Sequence, residues 1–253
     1  MPANNDPIRR FYEANPHMVS SPFGGLHGYD GALLEETFAR LGMVVAGQVL
    51  DVGCGRAHLR GIIEARGARY TGLDFVISQA RPRMVRGSAM SLPFADATFD
   101  LVTCIDAFEH FPDPAAAARE FHRVLKPGGT FFLSAPNYAN VAGLVKWCCE
   151  RTGSYAPRTW APFGRWQPQE FEQPLTPRFI RRCFAPAGFR DIAAIGFARE
   201  VELGLFPWID HPAMPERIRF RLQPLFRAIG PAIVVAWPAA SLHLFWRMRK
   251  AAQ

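Results

Sequence analysis

The stretch Gln48-Val49-Leu50-Asp51-Val52-Gly53-Cys54-Gly55 constrains this chain more than any other, because it is an apolar run that ends in an acid and two glycines. Val49, Leu50 and Val52 read as a short buried strand, and the glycines let the backbone turn sharply and come close to a ligand. In open parallel α/β sheets that strand edge is where ligands bind. Asp51 narrows the ligand. A pyrophosphate loop offers backbone N–H groups and a helix N-terminus to negative charge, and a carboxylate within the turn opposes it. A ligand with a cationic end suits Asp51 instead. The dinucleotide fingerprint also needs a third glycine where this chain has His58. A second acid, Asp74, closes the next apolar run, Tyr70-Thr71-Gly72-Leu73. An acid about 20 residues past such a turn is placed to accept hydrogen bonds from ribose hydroxyls. Together the two acids describe a ligand with an ammonium group, a ribose and no phosphate.

Further motifs follow in order: Ser88-Ala89-Met90-Ser91-Leu92-Pro93-Phe94, Ala97-Thr98-Phe99-Asp100-Leu101-Val102, Glu109-His110, and Arg123-Val124-Leu125-Lys126-Pro127-Gly128-Gly129. With the glycine turn, this succession resembles the class I S-adenosylmethionine-dependent methyltransferases of the small-molecule (type 11-like) branch. The resemblance covers roughly Val49 to Pro136, with a weaker echo at Phe179–Ile192. It implies an α/β Rossmann-like three-layer sandwich with a seven-stranded, mostly parallel sheet whose last strand is antiparallel, and S-adenosylmethionine as cofactor. It also implies roles for individual residues. Asp51, Gly53, Cys54 and Gly55 would hold the methionine end, Asp74 the ribose, Phe75, Ser88 and Ala89 the adenine, and Asp106 would lie near the amino-acid end. Two positions depart from the family pattern. Ala57 stands where a third glycine is usual, a small change if the backbone there does not need positive φ. Ser88 replaces an acid and should bond the adenine amine less strongly.

At 253 residues and 49% hydrophobic content, the chain suits one α/β domain, 1–253, with a cap. Its parts read as an N-terminal lid and helix over 7–47, a cofactor-binding core over 48–136, a cap insertion over 137–175 and a C-terminal part over 176–253. The aromatic N-terminal segment supplies Tyr12, His27 and Tyr29 as lid candidates, docking of the N-terminus being the alternative. Helices are predicted over Ala32–Leu41, from Leu59 to near Gly67, over Ala115–Leu125 behind an Asp113 cap and Pro114, and over Thr176–Ala187. Strands are predicted at Tyr70–Leu73, Met84–Arg86, Phe99–Cys104, Thr130–Ser134, after Gly188, and at Ser241–Met248, where apolar residues alternate. Lys126-Pro127-Gly128-Gly129 reads as a helix stop.

The cap contains Trp147, Trp160 and Trp166 broken by several prolines, and Val141–Cys149 as a short helix. It reads as a substrate cover or an oligomer contact, with Trp147 and Trp166 as substrate candidates. Ala228–Trp246 is uncharged over 19 residues, but Pro231 and Pro238 interrupt it. Peripheral membrane contact by Ile218–Val235, with arginines at 217, 219, 221 and 227, is an open alternative. The formal charge of +7 favours anionic partners. No stripe of basic and aromatic residues calls for nucleic acid. The five cysteines lack C-x-x-C spacing and read as reduced thiols, with no metal site. The first residues lack the pattern of a signal peptide, so a cytoplasmic location is expected.

The resemblance implies methyl transfer to a small-molecule acceptor. His110 is the candidate base, since an imidazole titrates near neutrality and the motif sets it beside the pocket; a structural role is the alternative. A small apolar or aromatic acceptor methylated at oxygen is the main reading. A lipid, quinone-like or glycolipid substrate at the membrane surface is the alternative, and a non-catalytic cofactor-binding module the second.

Overall fold

A computed structural model describes Arg10 and residues 31–77, 81–153, 172–211 and 213–252. Seven strands form one sheet: β1 Gln48–Val52, β2 Arg69–Asp74, β3 Met84–Arg86, β4 Phe99–Ile105, β5 Leu125–Pro136, β6 Phe189–Ile195 and β7 His243–Lys250. Their spatial order is β3-β2-β1-β4-β5-β7-β6. β1 to β5 pair in parallel, while β7 runs antiparallel to both β5 and β6. The strand order reverses between β1 and β4, so the carboxyl ends of those two strands open onto the crevice where such sheets hold ligands.

The helices are α1 Gly31–Arg40, α2 Leu59–Glu64, α3 Pro114–Val124, α4 Val141–Thr152, α5 Pro177–Phe184, α6 Ala198–Leu205 and α7 Glu216–Ala236. Two cores fill the layers. On one face α3 and α5 pack Phe121, Val124, Ile180 and Phe184 against Leu50, Val102, Phe131 and Trp246. On the other, α1 and α2 set Leu34, Phe38, Leu59 and Ile63 against Val49, Leu101, Phe132 and Phe245. The alternation read in β7 is the cause of this split: Leu244, Trp246 and Met248 enter the first core, and Phe245 enters the second.

Local chemistry accounts for the helix starts. The Asp113 side chain accepts from the Ala116 N–H, Asn140 from Gly143 and Thr176 from Phe179, and Pro114 and Pro177 occupy first helical positions where no donor is needed. Two boundaries differ from expectation. β5 begins at Leu125, because Leu125 pairs with Phe99 and the register then shifts; Lys126-Pro127-Gly128-Gly129 is the irregular start of a strand, with Gly128 at φ 74°. α7, where no helix was predicted, runs through Pro224 and through Pro231, which reads in the sequence as an interruption of the uncharged run. The two prolines, seven apart, both lie on the exposed side, where water can satisfy the carbonyls they leave unpaired. α6 was not predicted.

Two glycines give opposite expectations. A Cβ at Gly204 of α6 would stand 2.0 Å from the Ala240 carbonyl oxygen, whereas one at Gly61 of α2 would meet nothing within 4 Å. In urea unfolding, Gly204→Ala should cost about 2 kcal/mol or more, and Gly61→Ala should stabilise by about 0.5–1 kcal/mol. Equal effects would contradict this packing.

Candidate active site

The turn after β1 is built on left-handed backbone: Gly53 has φ 73°, Gly55 φ 49° and Ala57 φ 61°. Ala57 therefore does occupy a conformation that glycine adopts more easily, so the condition under which alanine would be a small change is not met. The N–H groups of Gly53 and Cys54 both donate to the Leu73 carbonyl, at 2.9 and 3.2 Å, which clamps the turn to β2.

Asp51 lies beneath this turn, only 3% exposed, so its carboxylate does not stand open in the mouth. Its two oxygens accept from the Tyr70 hydroxyl and the Thr103 hydroxyl, each at 2.9 Å. The register explains the arrangement. Asp51 pairs with Gly72 on β2 and with Thr103 on β4, so all three share a face. A Cβ at Gly72 would be 2.8 Å from Cys54 Sγ and 2.9 Å from the Tyr70 hydroxyl; its absence lets Tyr70 lean along its own strand to reach the acid. Burial pushes the Asp51 carboxyl up to about 6, against the two hydroxyl bonds that pull it down, and no cation pairs with it among the described residues. A buried acid held by neutral donors alone is suited to a cationic ligand end above it.

Asp74 ends β2. Its oxygens accept from the Gly55 N–H at 2.8 Å and the Val76 N–H at 3.0 Å, and burial raises its pKa against these bonds. The Gly87 N–H donates to the Asp74 carbonyl at 3.0 Å, bringing the loop after β3 alongside. In that loop Ala89 is buried and the Ser88 hydroxyl accepts from the Met90 N–H at 3.3 Å. The Phe75 carbonyl accepts from Arg86 Nε at 3.2 Å. Asp74, Phe75, Ser88 and Ala89 thus gather at one corner. At the end of β4, Asp106 (φ 46°) accepts from the Ser134 hydroxyl at 2.9 Å. A Cβ on Gly53 would be 2.5 Å from Ala107 Cβ, so the β4 loop abuts the glycine turn.

Beyond Asp106 a short 3-10 turn, Phe108–His110, buries Glu109 and leaves the His110 ring 11% exposed, with Nε2 3.7 Å from Glu109 Oε1. Burial, then the Asp106 charge, push Glu109 up to about 8. Gln173 reaches this turn directly: it donates its backbone N–H to the Glu109 carbonyl and its side-chain amide to the Phe111 carbonyl, both at 2.8 Å. Lys146, buried on α4, bonds Glu172 and lies 3.7 Å from Glu150, while the Tyr138 hydroxyl meets both acids. Burial pushes Lys146 down to about 7 against the charges of Glu150 and Glu109. A second buried group joins Glu200 of α6, pushed up to about 7 by burial, to the Ser241 hydroxyl at 2.6 Å and the His243 N–H at 2.8 Å.

Tyr70, Thr103, Lys146, Glu172 and Glu200 were not singled out from the sequence. The signal available for Lys146 was a lone charge in an otherwise apolar helical run, Val141–Cys149. On α4, Val145, Lys146 and Cys149 turn inward, and the substrate candidate Trp147 is exposed, with the Arg151 guanidinium 4.9 Å from its ring centre. Tyr12, His27, Tyr29 and Trp166 lie outside the described residues.

Residues 50–133 match the family model described as a methyltransferase domain. Over 162 residues the chain is 32% identical to a ubiquinone biosynthesis O-methyltransferase of Idiomarina loihiensis, covering 59% of this chain and 64% of that protein. Over 104 residues it is 38% identical to one from Pseudomonas aeruginosa, covering 36% and 44%. The chain therefore spans less than two thirds of the length of these relatives. The fold is shared with an S-adenosylmethionine-dependent methyltransferase from Archaeoglobus fulgidus, at a TM-score of 0.56 and 18% identity over 87% of this chain and 95% of that one. Fold, site and the match over residues 50–133 agree with a class I S-adenosylmethionine-dependent methyltransferase. The chain is similar to the small-molecule branch of that class, whose cofactor is S-adenosylmethionine. The donor set fits that molecule: no cation pairs with Asp51 among the described residues, and the cofactor would bring a cationic amino-acid end with no phosphate for the carboxylate to oppose.

Two outcomes follow. Because the folded-state pKa of Asp51 is raised, its contribution to stability is fully present below the unfolded value near 3.8 and is lost as pH rises through about 6. In urea unfolding without cofactor, the difference between wild type and Asp51→Asn should change by about 2–3 kcal/mol between pH 4 and pH 7. A pH-independent difference would contradict the burial. Asp74→Ala should weaken S-adenosylhomocysteine binding by about 10- to 100-fold in calorimetry; unchanged affinity removes Asp74 from the site.

Proposed function

We propose that this protein transfers the methyl group of S-adenosylmethionine to an oxygen of a small, quinone-like aromatic acceptor with apolar substituents. The observation that carries this reading is the similarity to ubiquinone biosynthesis O-methyltransferases, which favours the quinone-like alternative over an unspecified small aromatic molecule.

Asp51 and the turn Gly53–Gly55 hold the amino-acid end, Asp74 the ribose hydroxyls, and Phe75, Ser88 and Ala89 the adenine. The cofactor supplies an electrophilic methyl group on a positively charged sulfur. The protein's part is to align the acceptor oxygen, exclude water and remove one proton. His110 is the base, and Glu109, kept largely neutral at pH 7 by burial and by Asp106, steadies the ring without drawing its proton away. Gln173 couples this turn to the cap, so closure of the acceptor pocket and placement of His110 are linked.

The test uses cofactor labelled on the methyl group and a catechol bearing an alkyl tail. The expected product is a labelled methyl ether, and His110→Gln should lower kcat about 100-fold while cofactor affinity holds. Transfer to nitrogen or carbon only, or cofactor binding with no transfer to any phenolic acceptor, would overturn the reading; the latter is the behaviour of a non-catalytic binding module.

A further inference from the structure

The long helix α7, 21 residues, packs its inner side on α6: a Cβ at Gly230 would stand 2.9 Å from the Ala198 carbonyl, and Val234 is buried. Nothing in the methyl-transfer chemistry uses its outer side, which is unusual in composition. Phe220 is 76% exposed and Val235 83%, with Leu225 and Ile229 also exposed. Arg217, Arg221 and Arg227 are exposed among them, and none forms an ion pair with the described residues. Glu216, in the first turn, is the helix's sole acid. The arginines occupy the first part of the helix, and from Ala228 to its end it carries no charge.

We infer that the outer face of α7 is a docking surface for an anionic membrane. Two physical terms act together on such a face. Apolar side chains that cannot reach a core lose contact with water by entering the headgroup boundary, and arginines beside them stay at the level of anionic headgroups. No helix among the described residues is long and apolar enough to cross a membrane, so α7 would lie in the surface plane. Its placement matters for the site. α7 leads through Trp237, 45% exposed, and the turn Pro238–Ala240 into β7, whose first residue His243 pairs with Pro136 at the carboxyl end of β5. The uncharged end of α7 is therefore joined through β7 to the same sheet edge as the cofactor mouth. The docking surface stands independently of the acceptor's identity.

Co-sedimentation of the full chain with vesicles, without acceptor, tests it. Binding to phosphatidylglycerol–phosphatidylcholine vesicles should exceed binding to phosphatidylcholine alone by about tenfold or more and weaken as salt is raised. The triple variant Arg217→Glu, Arg221→Glu, Arg227→Glu should abolish the preference. Phe220→Ser with Val235→Ser should weaken binding severalfold while leaving its salt dependence. S-adenosylhomocysteine binding, retained in both, verifies folding. Equal binding to neutral vesicles, or binding unchanged in both variants, overturns the inference. So does dimerisation in sedimentation velocity that Val235→Ser abolishes while vesicles are ignored, which assigns the face to a second copy.

Discussion

The structure turns on one buried carboxylate. Asp51 sits below the β1 turn with two hydroxyls as its partners and no positive charge among the described residues to balance it. That arrangement is unfavourable for a folded protein alone, since burial disfavours the ionised form. It becomes favourable when a cation arrives over the turn. The surrounding residues follow from this need: Gly72 makes room for Tyr70, Gly53 lets the β4 loop close in, and Asp74 fixes Gly55. The same negative charge makes the turn a poor cradle for a dinucleotide's phosphates.

A second layer of buried polar groups links the Phe108–His110 turn to elements around the core. Lys146 and Tyr138 are tied to Glu172, and the neighbouring Gln173 carries that link to Glu109. Glu200, Ser241 and His243 do the same for α6 and β7, with Asn137 and Asn140 both donating to the Ser241 carbonyl. Removing one member of such a cluster leaves the others desolvated, so α4 and the C-terminal elements are coupled to the sheet edge rather than appended to it.

Much of this was legible in the residues. Short apolar runs ending in acids located β1 and β2, and side-chain caps with proline at the first turn located α3 and α5, because those signals act within a few residues. The alternation in β7 was legible for the same reason. Long-range effects were hidden. Tyr70 looked like a core aromatic, and only the register with Asp51 gives it a polar role. Pro231 looked like an interruption of an uncharged run, and only its place on the solvent side of α7 makes it tolerable inside a helix. Lys146 looked like a lone charge in an apolar run, and only the fold brings it to Glu172 and buries it. The cost of Ala57 depended on whether its backbone needs positive φ, and that left-handed backbone is a property of the folded turn that composition does not carry.

The central claim is that Asp51 gives up its proton when a cationic nucleoside binds above it. Calorimetric titration with S-adenosylmethionine near pH 5.5, in buffers of different ionisation enthalpy, counts the protons exchanged on binding. The account predicts that wild type releases a large part of one proton per cofactor bound and that Asp51→Asn releases none. No release by the wild type, or equal release by both proteins, would contradict it.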